Sequence, residues 1–357
     1  MVRPGGSEES ARDKDCSMKN QKRVVAVGGG TGTSTVIHAL HQIVPTVDIS
    51  AVVCVSDSGG STKRLRDEFG FQAIGDLRQT LAALASEQTQ EWVRSLLLYR
   101  FHNGKELLGH NLGNLILTAL QDMTGSTEKS LTVLQDVFHL KGHIIPVTDI
   151  PVDLQITYKN GTVVTGEDIL DGPAPKSPID HVDLTPNAVI NADARKSLLM
   201  ADLIIIGPGD LYGSLMACLA VEGMKETLQQ TKAEIVYITN LMTKAAQTKD
   251  MSAAKHLSII EKAIGRPCEY IFINTQKRFD KKYIEYYEKM GEEPVKDDLD
   301  LLKKENIKRK VFRDSFARPT EYTQSAADTI HRSVLRHDTT KLSIALTTIL
   351  QTQNKSQ

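Results

Sequence analysis

Residues able to hold a phosphate recur along this chain at the ends of apolar runs. The first set is Gly28-Gly29-Gly30-Thr31-Gly32-Thr33. Its glycines let the backbone turn tightly and approach a ligand, and its N–H and hydroxyl groups are anion donors. The second is Ser56-Asp57-Ser58-Gly59-Gly60-Ser61-Thr62, followed by Lys63, Arg64 and Arg66. Asp57 stands where an acid binds a ribose or a metal, or closes an Asx-turn. The three bases beside glycines and hydroxyls predict a phosphate cradle. In Gly75-Asp76-Leu77-Arg78, Asp76 reads as a helix N-cap. Arg78 then falls in the first helical turn, against the helix dipole, a placement that an anion opposite it would explain. Asn111 and Asn114 lie three apart beside His110 and Gly113, which suits base or sugar recognition, or capping. Gly207-Pro208-Gly209-Asp210-Leu211-Tyr212 and Asn240 follow later strands, and His337 either caps a helix or closes the ligand site.

The elements that must carry these residues read as α/β. Val24 to Val27 form a short buried strand. A helix follows from Thr35 to Val44, with Thr33 or Ser34 as its N-cap. Ile49–Val55, Leu203–Ile206, Ile235–Thr239 and Tyr270–Ile273 are further apolar strands, each running into a polar or glycine-rich loop. Ligands of open α/β sheets bind at such strand ends. Residues 151–164 alternate and contain Asn160-Gly161, a hairpin signal. They predict a small antiparallel insertion, about 143–190, within a mostly parallel sheet flanked by helices. Residues 280–310 read as charged and helical, with Tyr283, Tyr286 and Tyr287 as a packing face and 296–310 as a solvated helix. The expected organisation is a polar tail over 1–21, with Met18 as an alternative start. A single α/β nucleotide-binding domain over 22–350 and a short tail over 351–357 follow.

The balance of 43 basic and 44 acidic residues gives no global pull toward nucleic acid or anionic membranes. No apolar run approaches the roughly 18 residues of a membrane span. Cys16, Cys54, Cys218 and Cys268 are scattered, without a zinc or disulfide pattern. The glycine cluster fits neither a P-loop nor the dinucleotide fingerprint, whose third glycine position is Thr33, so an NAD-dependent oxidoreductase is disfavoured. No G-x-S-x-G elbow, H-E-x-x-H pair or EF-hand loop is present, and no general base stands out.

Taken in order, six motifs resemble the gluconeogenesis-factor family, related to 2-phospho-L-lactate transferase. They are 28–33, 56–61, 75–78, 109–115, 207–212 and 336–338. The resemblance spans about residues 22–350 and implies a Rossmann-like sheet in a cytoplasmic protein. It also implies a nucleotide or nucleotide-sugar ligand such as a UDP-sugar, and a regulatory role in cell shape and cell-wall homeostasis during gluconeogenic growth. The alternative it implies is a Mg2+-dependent transferase that moves a phospholactyl group from a guanosine-nucleotide donor. Phosphates would lie over 28–33 and over Gly59, Gly60 and Ser61. Asp57 would hold ribose hydroxyls or magnesium, Arg78 would neutralise phosphate, and Asn111, Asn114 and Asn240 would read base or sugar. The implied partner is a small nucleotide, with room left for a homo-oligomer. Many relatives carry an acid or Asn where this chain has Ser58, Gly at Lys63, and Asn at Gln79. Many also have Pro-Gly-Glu-Thr where it has Ala245-Ala246-Gln247-Thr248.

Overall fold

The computed structural model describes residues 21–85, 90–276, 279–304, 309–319 and 333–355. The expected N-terminal tail lies almost wholly outside the described residues. Twelve strands are present among them: β1 Arg23–Gly28, β2 Asp48–Val53, β3 His143–Pro146, β4 Asp153–Tyr158, β5 Val163–Thr165 and β6 Ile179–Thr185. The others are β7 Leu203–Ile206, β8 Glu234–Ile238, β9 Tyr270–Asn274, β10 Lys310–Asp314, β11 Ala317–Pro319 and β12 Leu335–His337.

Seven of these form one all-parallel sheet in the order β10-β9-β8-β7-β1-β2-β3. β1 and β7 are its most hidden strands: Val24 to Val27 and Leu203 to Ile206 are at most 1% exposed. Strands covered on both faces must be apolar throughout, which is what Val-Val-Ala-Val and Leu-Ile-Ile-Ile supply. The chain starts at the centre with β1, moves outward through β2 to β3, then returns to the other side of β1 as β7. The direction of winding therefore reverses between β1 and β7, opening a crevice beyond their carboxyl ends.

Four helices line that crevice, α1 Gly30–Leu40, α2 Gly60–Phe69, α3 Gly75–Leu84 and α5 Leu112–Thr124, while α4 Glu91–Leu98 packs against α3 and α5 without reaching it. α1 starts at Gly30 with Gly29 as its cap, so Thr33 and Ser34 are inside the helix and cap nothing. α3 is capped by Ile74 without a side-chain bond, so Asp76 is not its N-cap. Both corrections have one cause: a glycine starts each helix ahead of the residue expected to cap it.

β4, β5 and β6 make the expected antiparallel insertion, with the Asn160-Gly161 turn joining β4 to β5. It is shorter than 143–190, because β3 belongs to the main sheet. The expected solvated helix over 296–310 is instead a 3-10 turn at Leu299–Lys304 and then β10. β10 is an edge strand pairing only with β9, so its faces are partly wet and its sequence can stay charged. The final helix, Thr339–Lys355, runs through most of the expected C-terminal tail. It is held there by Gln353, whose amide donates to Asp202 O and Glu234 Oε2. No helix among the described residues is long and apolar enough to cross a membrane.

Candidate functional site

A cleft of about 310 Å³ occupies the switch point. Gly29, Gly30, Thr31 and Gly32 line it from the turn after β1, Asp57, Gly59 and Ser61 from the turn after β2. Pro208 and Gly209 line it after β7, and Asn240 after β8. The first and third turns touch. A Cβ on Gly32 would fall on the carbonyl of Pro208, so only glycine lets the two backbones meet. Gly28, Gly60, Gly207, Thr33, Tyr212 and Asn111 do not line the cleft.

α1, α2 and α3 all begin at this cleft, and none has a side-chain cap. By contrast Asn111 caps α5, and Ser126, Asn191 and Ser252 cap helices elsewhere. An uncapped start leaves its first N–H groups available to an anion. Three such starts point into one space.

The side chains around that space are charged. Six carboxylates (Asp57, Asp76, Glu167, Asp171, Asp210 and Glu292) face four cations (Arg78, Arg100, Lys244 and Arg336). Burial raises the carboxyl of Asp57, against donation from Gly59 N–H at 2.9 Å and from the Thr62 hydroxyl. Asp76 is pushed up to about 7, by burial first and then by the charge of Asp57. Its Oδ2 accepts from Cys54 Sγ at 3.0 Å. Glu167 is driven well up by burial and by Asp57 and Asp171, and Glu292 goes to about 7, also mainly through burial.

Two cations are fixed by the protein. Arg78 is buried; its Nε donates to Asn114 Oδ1 at 2.8 Å and its Nη1 to Leu97 O at 3.1 Å. Lys244 Nζ lies 2.5 Å from both Asp171 Oδ1 and Asp210 Oδ2, tying the insertion to the turn after β7. Gln247 joins the turn after β7 to the loop after β8. Its Nε2 donates to Asp210 Oδ2 at 3.1 Å and its Oε1 accepts from Tyr212 N.

At the far end the wall is apolar, built from Leu241, Met242, Tyr287 and Leu335, which cluster apart from the main core. Two polar groups sit beside it. Asn240 Oδ1 is buried with no protein partner. His337 is buried, and its Nε2 donates to Thr239 O at 3.0 Å, which fixes that tautomer. Burial pushes His337 down to about 4, so it is neutral near pH 7. Asp338 caps the last helix through the N–H groups of Thr340 and Lys341.

Several expectations change here. Lys63, Arg64 and Arg66 form no cradle in the cleft. They turn outward to Asp168, Leu108 O and Asp153 respectively. Asn111 is spent as a cap, accepting from Asn114 N. Asn114 lines the cleft, but both ends of its amide are occupied by protein: Oδ1 by Arg78 and Nδ2 by Thr62. Ser58 turns away from the cleft to Asp168, and that anchor brings the neighbouring Glu167 into it. Glu167, Asp171, Lys244 and Glu292 had no sequence signal, because no motif surrounds them. Asp76 and Asp210 did, as acids directly after Gly75 and Gly209 in two of the sequence motifs.

A model of the 2-phospho-L-lactate transferase CofD family matches residues 24–316. The chain belongs to the CofD family. Among CofD relatives, the gluconeogenesis factor of Bacillus subtilis is 33% identical over 338 residues, covering 94% of this chain and all of that protein. A Thermotoga maritima relative is 32% identical over 320 residues, 90% of this chain and 96% of its own length. A crystal structure of a UPF0052 family member from Bacillus halodurans shares the fold with a TM-score of 0.80 and 32% identity. It covers 92% of this chain and 99% of that one.

Proposed function

We propose that this CofD-family chain binds a nucleotide sugar of the UDP-sugar class in the switch-point cleft and acts in the cytoplasm as a regulatory, gluconeogenesis-factor-type protein. The observation that carries this reading is the convergence of three uncapped helix starts on one cleft, beside turns that only glycine permits. Backbone N–H groups at α1 and α2 take the diphosphate, as helix N-termini do. The apolar wall of Leu241, Met242, Tyr287 and Leu335, with the orphan acceptor Asn240 Oδ1, suits a ring bearing an N–H group. Arg78 offsets phosphate charge near Asp57. The absence of a positioned nucleophile–base pair among the named groups favours binding over chemistry.

Asp57 and Asp76 favour a second reading, a transferase moving a phospholactyl group from a guanosine diphosphate donor with GMP leaving. No three His, Cys, Asp or Glu side chains among the described residues form a ready metal cluster. Mg2+ binds through one or two carboxylates together with substrate phosphates, and Asp57 and Asp76 fit that need. The ion would neutralise phosphate charge; Arg78 and the α1 N–H groups would orient the transferred group, and positioning suffices for such chemistry.

Thermal unfolding with UDP-glucose, GDP, GTP and NAD, each with and without Mg2+, separates the readings. A ligand at 100 times its Kd stabilises by about 2.7 kcal/mol. A UDP-sugar response without turnover, lost in Arg78→Ala, supports the first. Mg2+-dependent GMP release from a lactyl-diphosphoguanosine donor in the presence of a deazaflavin acceptor supports the second. No response to any of the four overturns both.

A further inference from the structure

Arg78 and Asp57 sit on different elements, yet a line of buried polar contacts leads from one to the other. Arg78 Nε–H donates to Asn114 Oδ1 at 2.8 Å, and Asn114 Nδ2–H donates to Thr62 Oγ1 at 3.3 Å. The Thr62 hydroxyl and the Asp57 carboxylate then come together over Gly75, where a Cβ would lie 2.6 Å from Thr62 Oγ1 and closer still to Asp57 Oδ2, and the hydroxyl favours the charged carboxylate. Arg78, Asn114 and Thr62 are 6%, 2% and 3% exposed. Every donor points the same way, from guanidinium to carboxylate. A hydroxyl has one proton, and it reaches Asp57 only because Asn114 presents an N–H to the threonine oxygen rather than an acceptor.

From this we infer that Asn114 is a positioning residue that sets Arg78 and Asp57 in register across α2, α3 and α5, without touching the ligand itself. The inference rests on the reading of the cleft as a phosphate-binding site. The amide is the one side chain that meets both needs, an acceptor for Arg78 and a donor for Thr62 in a planar group of fixed width. Leucine matches its size and serves neither. Aspartate matches its shape and serves only the first: it keeps Arg78 but takes the Thr62 proton away from Asp57. The backbone adds to the fit, since Asn114 N is held by Asn111 Oδ1 at 3.2 Å and the amide therefore leaves a fixed helix start.

Asn114→Asp is the diagnostic change. Two readouts are taken on the full chain. The first is the exchange rate of the Arg78 Nε–H proton by 15N NMR without ligand, the signal being assigned by its loss in Arg78→Lys. The second is affinity for UDP-glucose and for GDP with Mg2+ by calorimetry. The expected result is slow Nε–H exchange in the parent and in Asn114→Asp, and fast exchange in Asn114→Ala. Affinity should fall on the order of 10- to 100-fold in Asn114→Asp, the usual loss for a group acting through a neighbour. Slow exchange in Asn114→Ala, or unchanged affinity in Asn114→Asp, overturns the inference. If Asn114→Ala does not fold, the aspartate variant decides alone. If the parent protein binds neither nucleotide, the proposed function falls, and the exchange rates still decide whether Asn114 positions Arg78.

Discussion

The two sides of the cleft are built from different materials. On one side, the turns after β1 and β7 present backbone, brought together because Gly32 has no side chain to hold them apart. On the other, the insertion and the loop after β8 present side chains, Glu167, Asp171 and Lys244, assembled from distant parts of the chain. The backbone wall is set by the close approach of its turns. The side-chain wall carries charge, and that charge is set by burial and by its neighbours. A ligand's phosphates suit the first; what distinguishes one ligand from another falls to the second.

The contrast is broken most severely at the backbone wall. Gly32→Ala places a methyl group on the Pro208 carbonyl, forcing the two turns apart. We expect about 3 kcal/mol of lost stability by chemical unfolding, and no nucleotide-induced shift of Tm. If the variant keeps the response, the wall is not built as described.

The side-chain wall should answer to pH. His337 has its pKa lowered from 6.5 to about 4 by burial. The unfolded chain then binds a proton that the folded chain refuses, so the contribution of His337 to stability falls as pH drops from about 6.5 to about 4, against the opposite contribution of Asp76 and Glu292, whose raised carboxyls take up protons in the folded state over the same range. The full effect is about 3 kcal/mol. His337→Gln, which can still donate to Thr239 O, should flatten this acid limb in urea titrations at successive pH values. An unchanged limb would mean that His337 is not the group responsible.

A smaller loss is expected at the clamp. Lys244→Met leaves Asp171 and Asp210 without their shared cation, at a cost of about 1 to 2 kcal/mol, since all three are partly exposed. Loosening the insertion should weaken UDP-sugar binding more than GDP binding if this wall selects the ligand. Equal weakening would assign it a merely structural part. Least of all should come from Lys63→Ala. Its pair with Asp168 spans 3.4 Å between side chains about half exposed, and such pairs contribute under about 1 kcal/mol. A lost nucleotide response there would return Lys63 to the site.

The difference between the walls also explains what could be read in the sequence. Backbone sites write themselves locally: Val24 to Gly32 states strand, turn and helix in nine consecutive residues, and 203–209 does the same. The winding order followed from no single segment. β3 has only four residues and β10 is charged, so neither resembled the buried strands they accompany. Side chains were legible only where a strand end fixed their place, as for Asp57. Asn114 illustrates the limit: its residue type and spacing fit ligand contact and hydrogen bonding to protein equally, and only its neighbours Arg78 and Thr62 decide between them. Lys244 and Glu167 depend on contacts across 73 and 110 residues, beyond the reach of periodicity or capping rules.

One feature at the end of the chain bears on how the site comes into being. The helix Thr339–Lys355 packs along α1, and Thr339 accepts from Gln42 just past the end of α1. β12, which brings His337 to the cleft, precedes it directly. During synthesis, the first glycine turn emerges more than 300 residues ahead of the helix that buttresses it. A ribosome-bound chain therefore holds α1 against α3 and the sheet alone until residues 339–355 have emerged. Binding competence should appear abruptly once residues 339–355 have left the ribosome, and a stop codon at residue 338 should abolish it while leaving every glycine turn in place.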